Sequence, residues 1–136
     1  MNFNKLIMKS SILSKSVLAV IAILLSTLSC LGQDDPSDKV AGTWIKTSDM
    51  GSVTFTISAD KKYEVEFTGD GTADVTGSYV ISGQQITFTD EGGDYRSDAS
   101  GVYEFMVSDS LRFTKVNDPV DGRRRLVEGA WGKAAD

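Results

Sequence analysis

Histidine is missing from this chain of 136 residues, and cysteine occurs once, at position 30. The first absence removes the side chain that ordinarily titrates near neutrality and the commonest zinc ligand; the second excludes any internal disulfide. Basic charge is scarce as well. Lys5, Lys9 and Lys15 fall within the first 29 residues, so the remainder sets 11 Lys and Arg against 19 Asp and Glu, a net charge of −8. Such a surface repels phosphate backbones and anionic headgroups, which argues against a nucleic-acid partner. Glycine-rich phosphate loops running from a strand into a helix are also missing, and no nucleophile has a partner base nearby in sequence. Glu64, Glu66 and Glu104 fall on the polar side of their strands and are expected to face water rather than a buried catalytic site. The expectation is therefore a protein that is not an enzyme, holds no metal and carries no cofactor.

What is present begins with a leader. A polar basic stretch is followed by an apolar run from Val17 to Leu25 and small residues up to Cys30. The run is too short to span about 30 Å of hydrocarbon, which favours a signal sequence over a transmembrane helix. Thr27-Leu28-Ser29-Cys30 resembles the lipobox of bacterial lipoproteins, with Thr27 standing where a larger aliphatic residue is usual. That resemblance implies cleavage before Cys30, acylation of its thiol and anchorage to a bacterial membrane, the outer membrane being expected, with the domain in the periplasm or at the cell surface. Ordinary cleavage at the same bond, leaving a free thiol, is the alternative. The domain plan is thus 1–29 signal peptide, 30–39 lipidated tether and 40–133 folded domain. The tether, with Asp34, Asp35, Pro36 and Asp38, reads as extended and flexible.

From Val40 onward the apolar residues recur with a period of two, broken by turn residues at short intervals. Strands are expected at 40–47, 52–58, 62–68, 72–82, 84–90, 101–107, 111–116 and 123–132. Gly69-Asp70-Gly71 and Gly83 mark tight turns. No segment beyond the leader carries a convincing 3.6-residue apolar period. Eight short strands joined by short turns imply an all-β fold, an eight-stranded antiparallel up-and-down β-barrel, which hides one apolar face per strand and removes exposed edges. A two-sheet sandwich is the second architecture, disfavoured by the scarcity of long connections.

Gly42-Thr43-Trp44 at the start of the first strand, followed by repeated hairpins and a late arginine, resembles the lipocalin and wider calycin pattern. The stretches Ile86–Asp90, Gly101-Val102-Tyr103, Leu111–Thr114, Asp118–Arg123 and Trp131 are similar to those of small bacterial lipocalin-like domains. The resemblance implies that Gly42, Trp44 and Arg123 form a barrel closure, with the indole across the floor and the guanidinium over its ring. Arg124 and Arg125 are rivals for that place, and Trp131 is a rival for Trp44. Related sequences often carry a cysteine in the loop before the sixth strand and another after the Asp-Pro; this chain has neither.

Phe55, Tyr63, Phe67, Tyr79, Phe88, Tyr103, Phe105 and Phe113 share the inward parity. They are the candidate ligand-binding residues, since a barrel of eight strands is either filled by side chains or just wide enough for one small guest. The expected function is a membrane-tethered, monomeric, lipocalin-like lipoprotein that binds a small hydrophobic molecule in or at the mouth of the barrel. The alternative is a packed barrel acting on a protein partner through its loops and outer face. Asp90 to Asp98 form the one long acidic, glycine-containing loop, read as a lip over the mouth or a solvated segment, with spacing unlike that of a calcium loop.

Overall fold

A computed structural model describes residues 32 and 34–136, so the leader and Cys30 lie outside the described residues. The strands are β1 (Gly42–Ser48), β2 (Gly51–Ile57), β3 (Lys62–Glu66), β4 (Val75–Ser82), β5 (Gln85–Gly92), β6 (Gly101–Val107), β7 (Ser110–Asn117) and β8 (Gly129–Lys133). Each pairs antiparallel with the next, and β8 returns to β1, giving a closed up-and-down barrel. Closure places Trp44 opposite Lys133 and Ile45 opposite Gly132. Alternation drives this outcome: Val53, Phe55 and Ile57 of β2 are buried while Thr54 and Thr56 between them are not, and rolling the sheet hides every such face at once.

Two short helices depart from the sequence reading. α1 (Pro36–Val40) occupies part of what reads as a flexible tether. Its start is specified locally, with Pro36 in the first turn and the Asp35 carboxylate accepting the Ser37 N–H at 2.9 Å. α2 (Asp121–Val127) takes the place of the first half of the expected last strand, so Arg123 is helical and β8 is only five residues long. Helices of one or two turns are too short for a 3.6-residue apolar pattern to repeat, which is why alternation alone overlooked them.

The two helices lie at opposite ends of the barrel, and each is tied down in the same way. The Trp44 indole N–H donates to the carbonyl of Val40, the last residue of α1, and the Trp131 indole N–H donates to that of Val127, the last residue of α2, both at 2.9 Å. Each indole thus satisfies a helix C-terminal carbonyl that would otherwise be left without a partner. The local sequences share Val, Gly, Trp and Lys at alternate positions: Val40-Ala41-Gly42-Thr43-Trp44-Ile45-Lys46 and Val127-Glu128-Gly129-Ala130-Trp131-Gly132-Lys133. The glycine that opens each strand has φ of 144° at Gly42 and 107° at Gly129, a region L side chains rarely adopt.

Candidate functional site

The turns joining β2 to β3, β4 to β5 and β6 to β7 gather at the α1 end, and this end is filled. Trp44 is buried beneath α1, and the Tyr79 hydroxyl donates to Ser58 O at 2.6 Å. Above it the core is a stack of rings. Phe113 packs 6.0 Å from Phe55, 5.6 Å from Phe88 and 6.2 Å from Tyr103, and Trp131 meets Phe55 at 5.3 Å, all centroid to centroid. Phe55, Tyr63 and Phe88 then form a mutually tilted triad, at 5.1 to 5.8 Å, that ends the packed region.

Beyond that triad the barrel is hollow. A cavity of about 300 Å³ lies between the triad and α2. Val65, Phe67 and Val75 form one wall, Val120, Leu126 and Val127 form the cover, and Met50 and Tyr95 stand at the rim. Tyr95 meets Phe67 edge-on at 5.0 Å. Polar groups are contributed by Tyr63, Asp90 and Arg123 on one side and by the Tyr95 phenol at the rim. The choice between a packed and an open barrel therefore resolves into both, packed toward α1 and open toward α2.

Of the candidate ligand-binding residues, Phe55, Tyr63, Phe67 and Phe88 line the cavity. Tyr79, Tyr103 and Phe113 do not; they are buried below it. Phe105 is half-buried and borders a separate shallow depression with Gln84, Met106 and Arg112.

Arg123 does not cap Trp44. Its Nε donates to Asp118 Oδ2 at 2.7 Å and Nη2 to Asp118 Oδ1 at 2.9 Å, a bidentate pair. Nη2 also donates to Ala99 O at 2.6 Å, and Nη1 reaches Asp90 Oδ2 at 3.2 Å. Two nearly fully buried carboxylates hold the guanidinium at the α2 end, away from the floor tryptophan. The cation over an indole is instead Lys46 of β1, whose Nζ lies 4.5 Å from the Trp131 ring centroid.

Around Arg123 a buried network spans the barrel. The Tyr63 hydroxyl donates to Asp90 Oδ1 at 2.5 Å, and the Tyr103 hydroxyl donates to Asp118 Oδ2. Ser97 N–H donates to Asp90 Oδ2 and Val120 N–H to Asp118 Oδ1, each at 2.9 Å, so the β5–β6 loop and the start of α2 are pinned to it. Burial pushes both phenols well above their ordinary pKa, and the adjacent carboxylates add to that. Burial alone would raise the Asp118 carboxyl, but hydrogen bonds from Arg123 and Tyr103 outweigh it and hold it below its usual value. Burial works against the Arg123 charge, yet the Asp118 and Asp90 carboxylates keep it firmly protonated.

Two strand glycines make room for this network. A Cβ on Gly77 would stand 2.5 Å from the Tyr63 hydroxyl and 2.3 Å from Thr89 O, and one on Gly101 would stand 2.4 Å from Asp118 Oδ2. The space over Gly77 is thus filled by the Tyr63 phenol.

Asp90 and Asp118 are site residues that the strand pattern does not single out, although the sequence holds a signal for the first. Asp90 follows Ile86 and Phe88 at the same parity, a charge on an apolar face that demands a buried partner. The acidic loop reading is corrected accordingly: Asp90 turns inward as part of β5. Among the described residues no group of three or more Cys, Asp or Glu is placed to hold a metal ion. The chain matches no family model, no curated protein and no solved structure among those compared.

Proposed function

We propose that this protein is a lipocalin-like, lipid-anchored barrel of the bacterial envelope that binds one small hydrophobic molecule beneath α2. The observation that carries the reading is the cavity of about 300 Å³, at the lower end of the range for small-molecule sites, with apolar walls and a few convergent polar groups on one side. Asp35 caps α1 at the end of the barrel away from the cavity, so the chain leading from an acylated Cys30 would join the domain at its filled end.

Native mass spectrometry of the full chain, together with displacement of an environment-sensitive apolar dye, tests the binding. A co-purifying small molecule or saturable dye uptake is expected, and Val75→Phe, which adds volume to the cavity wall, should abolish both while leaving the melt intact. Uptake unchanged in Val75→Phe would place binding elsewhere, and no uptake by the native protein would end the proposal. The anchor is tested separately by labelling with an alkynyl fatty acid, which should mark the native chain and not Cys30→Ser.

A further inference from the structure

The polar side of the cavity has a definite hydrogen-bonding capacity, set by how the buried network uses its atoms. Asp118 is saturated: Oδ1 accepts from Val120 N and Arg123 Nη2, and Oδ2 accepts from Tyr103 and Arg123 Nε. Asp90 is not. Among the described residues Oδ2 accepts two bonds, from Ser97 N and Arg123 Nη1, whereas Oδ1 accepts one, from the Tyr63 hydroxyl. An ionised carboxylate oxygen takes about two donors, so Oδ1 keeps one acceptor position, and the Tyr63 oxygen, having given its proton to Asp90, keeps another. Asp90 and Tyr63 line the cavity, and Asp118 does not.

Charge points the same way. Asp90 meets three donors, as an ionised carboxylate does. With Asp118 and one guanidinium the cluster carries one net negative charge, and four of the five N–H groups of Arg123 are already committed. A donor group arriving in the cavity finds unused acceptors and a favourable field. An arriving carboxylate finds a like charge beside Asp90, and the donors left to it are one N–H of Arg123 and the Tyr95 phenol out at the rim, in a setting of low dielectric where charge counts heavily.

Granting that the cavity is a binding site, we propose that it selects an apolar molecule whose one polar end is a hydrogen-bond donor, an alcohol or protonated amine, seated against Asp90 Oδ1 and the Tyr63 oxygen, and discriminates against the carboxylate of the same chain. The test is competitive displacement of the apolar dye from the full, delipidated protein at neutral pH by four matched probes: decanol, decylamine, decanoate and decane. Decanol and decylamine should bind at least about tenfold more tightly than decanoate, equivalent to about 1.4 kcal/mol, and decanol should outcompete decane. Asp90→Asn should bring decylamine and decanoate to within about threefold of each other. Tyr63→Phe, which keeps the ring, should weaken decanol and leave decane unchanged. Decanoate equal to or tighter than decanol in the native protein, or decane equal to decanol, overturns the selectivity while leaving the binding site standing. Failure of all four probes overturns the site and the selectivity together. The native-protein ratios decide the matter even where a variant does not fold.

Discussion

Lys46 of the first strand lies over Trp131 of the last, its Nζ 4.5 Å from the ring centroid, and donates to the carbonyls of Leu126 and Glu128 at the end of α2. One ammonium group therefore bridges the closing strands, faces an indole and caps a helix C-terminus. A cation in either role contributes about 0.5 to 2 kcal/mol. Burial lowers the Lys46 pKa, a cost that trims the gain, and Glu128 offsets it in part.

Lys46→Met keeps the aliphatic stem and removes the charge. It should lower stability by about 1 to 2 kcal/mol, read by urea denaturation. A midpoint equal to that of the native protein would mean the ammonium contributes nothing to closure.

Trp44 and Trp131 are both buried, and each satisfies a helix carbonyl. Truncating either to Ala should cost about 3 to 5 kcal/mol. Trp44→Phe separates the hydrogen bond from most of the bulk and should cost about 1 to 3 kcal/mol, because the Val40 carbonyl loses its partner. A loss well below 1 kcal/mol for Trp44→Ala would show that the filled end does not depend on it.

Gly77→Ala and Gly101→Ala should each destabilise by about 1 to 3 kcal/mol, since the added methyl overlaps Tyr63 or Asp118. Both should also weaken dye uptake by displacing the network beside the cavity. Gly122→Ala is the control: its Cβ would meet nothing within 4 Å and lies in α2, so stability should hold or rise by up to about 1 kcal/mol. Thermal melts check all three, and dye titration checks Gly77→Ala and Gly101→Ala.

The folded state holds the Asp118 carboxyl below its ordinary value, near 3.9 in an unfolded chain. Its contribution is therefore complete above about pH 4 and is lost as pH falls through the lower folded value. Asp118→Asn should cost about 3 to 5 kcal/mol at pH 7, because it breaks a buried pair. That difference should shrink progressively below about pH 4. A gap that stays constant down to pH 2 would exclude an ionised Asp118.

Tyr63 and Tyr103 shift the other way. Their phenols should remain protonated above about pH 10, where an unperturbed tyrosine ionises, and should release protons only on alkaline unfolding. Ultraviolet titration of Tyr63→Phe and Tyr103→Phe assigns the late step. Loss of stability is expected to begin near pH 10, where the unfolded phenols start to ionise.

Strand number, order and inward parity follow from residues such as Val53, Phe55 and Ile57, because a two-residue period in a chain with short turns leaves few ways to bury one face. Cys30, the scarcity of basic residues and the missing histidine likewise stand in the primary structure. Hidden in plain view was the pair Val40–Lys46 and Val127–Lys133, a seven-residue pattern that places a helix before β8 as well as before β1. Only the closed barrel decided which charges meet. Arg123 goes to Asp118 and Asp90, Lys46 goes to Trp131, and Asp90 turns inward, because partners far apart in sequence are selected by register and by the space over Gly77 and Gly101. The cavity has the same origin. Local pattern tells which side chains face inward, but whether they fill the interior depends on how their volumes sum across eight strands, and here they fill it as far as the Phe55–Tyr63–Phe88 triad.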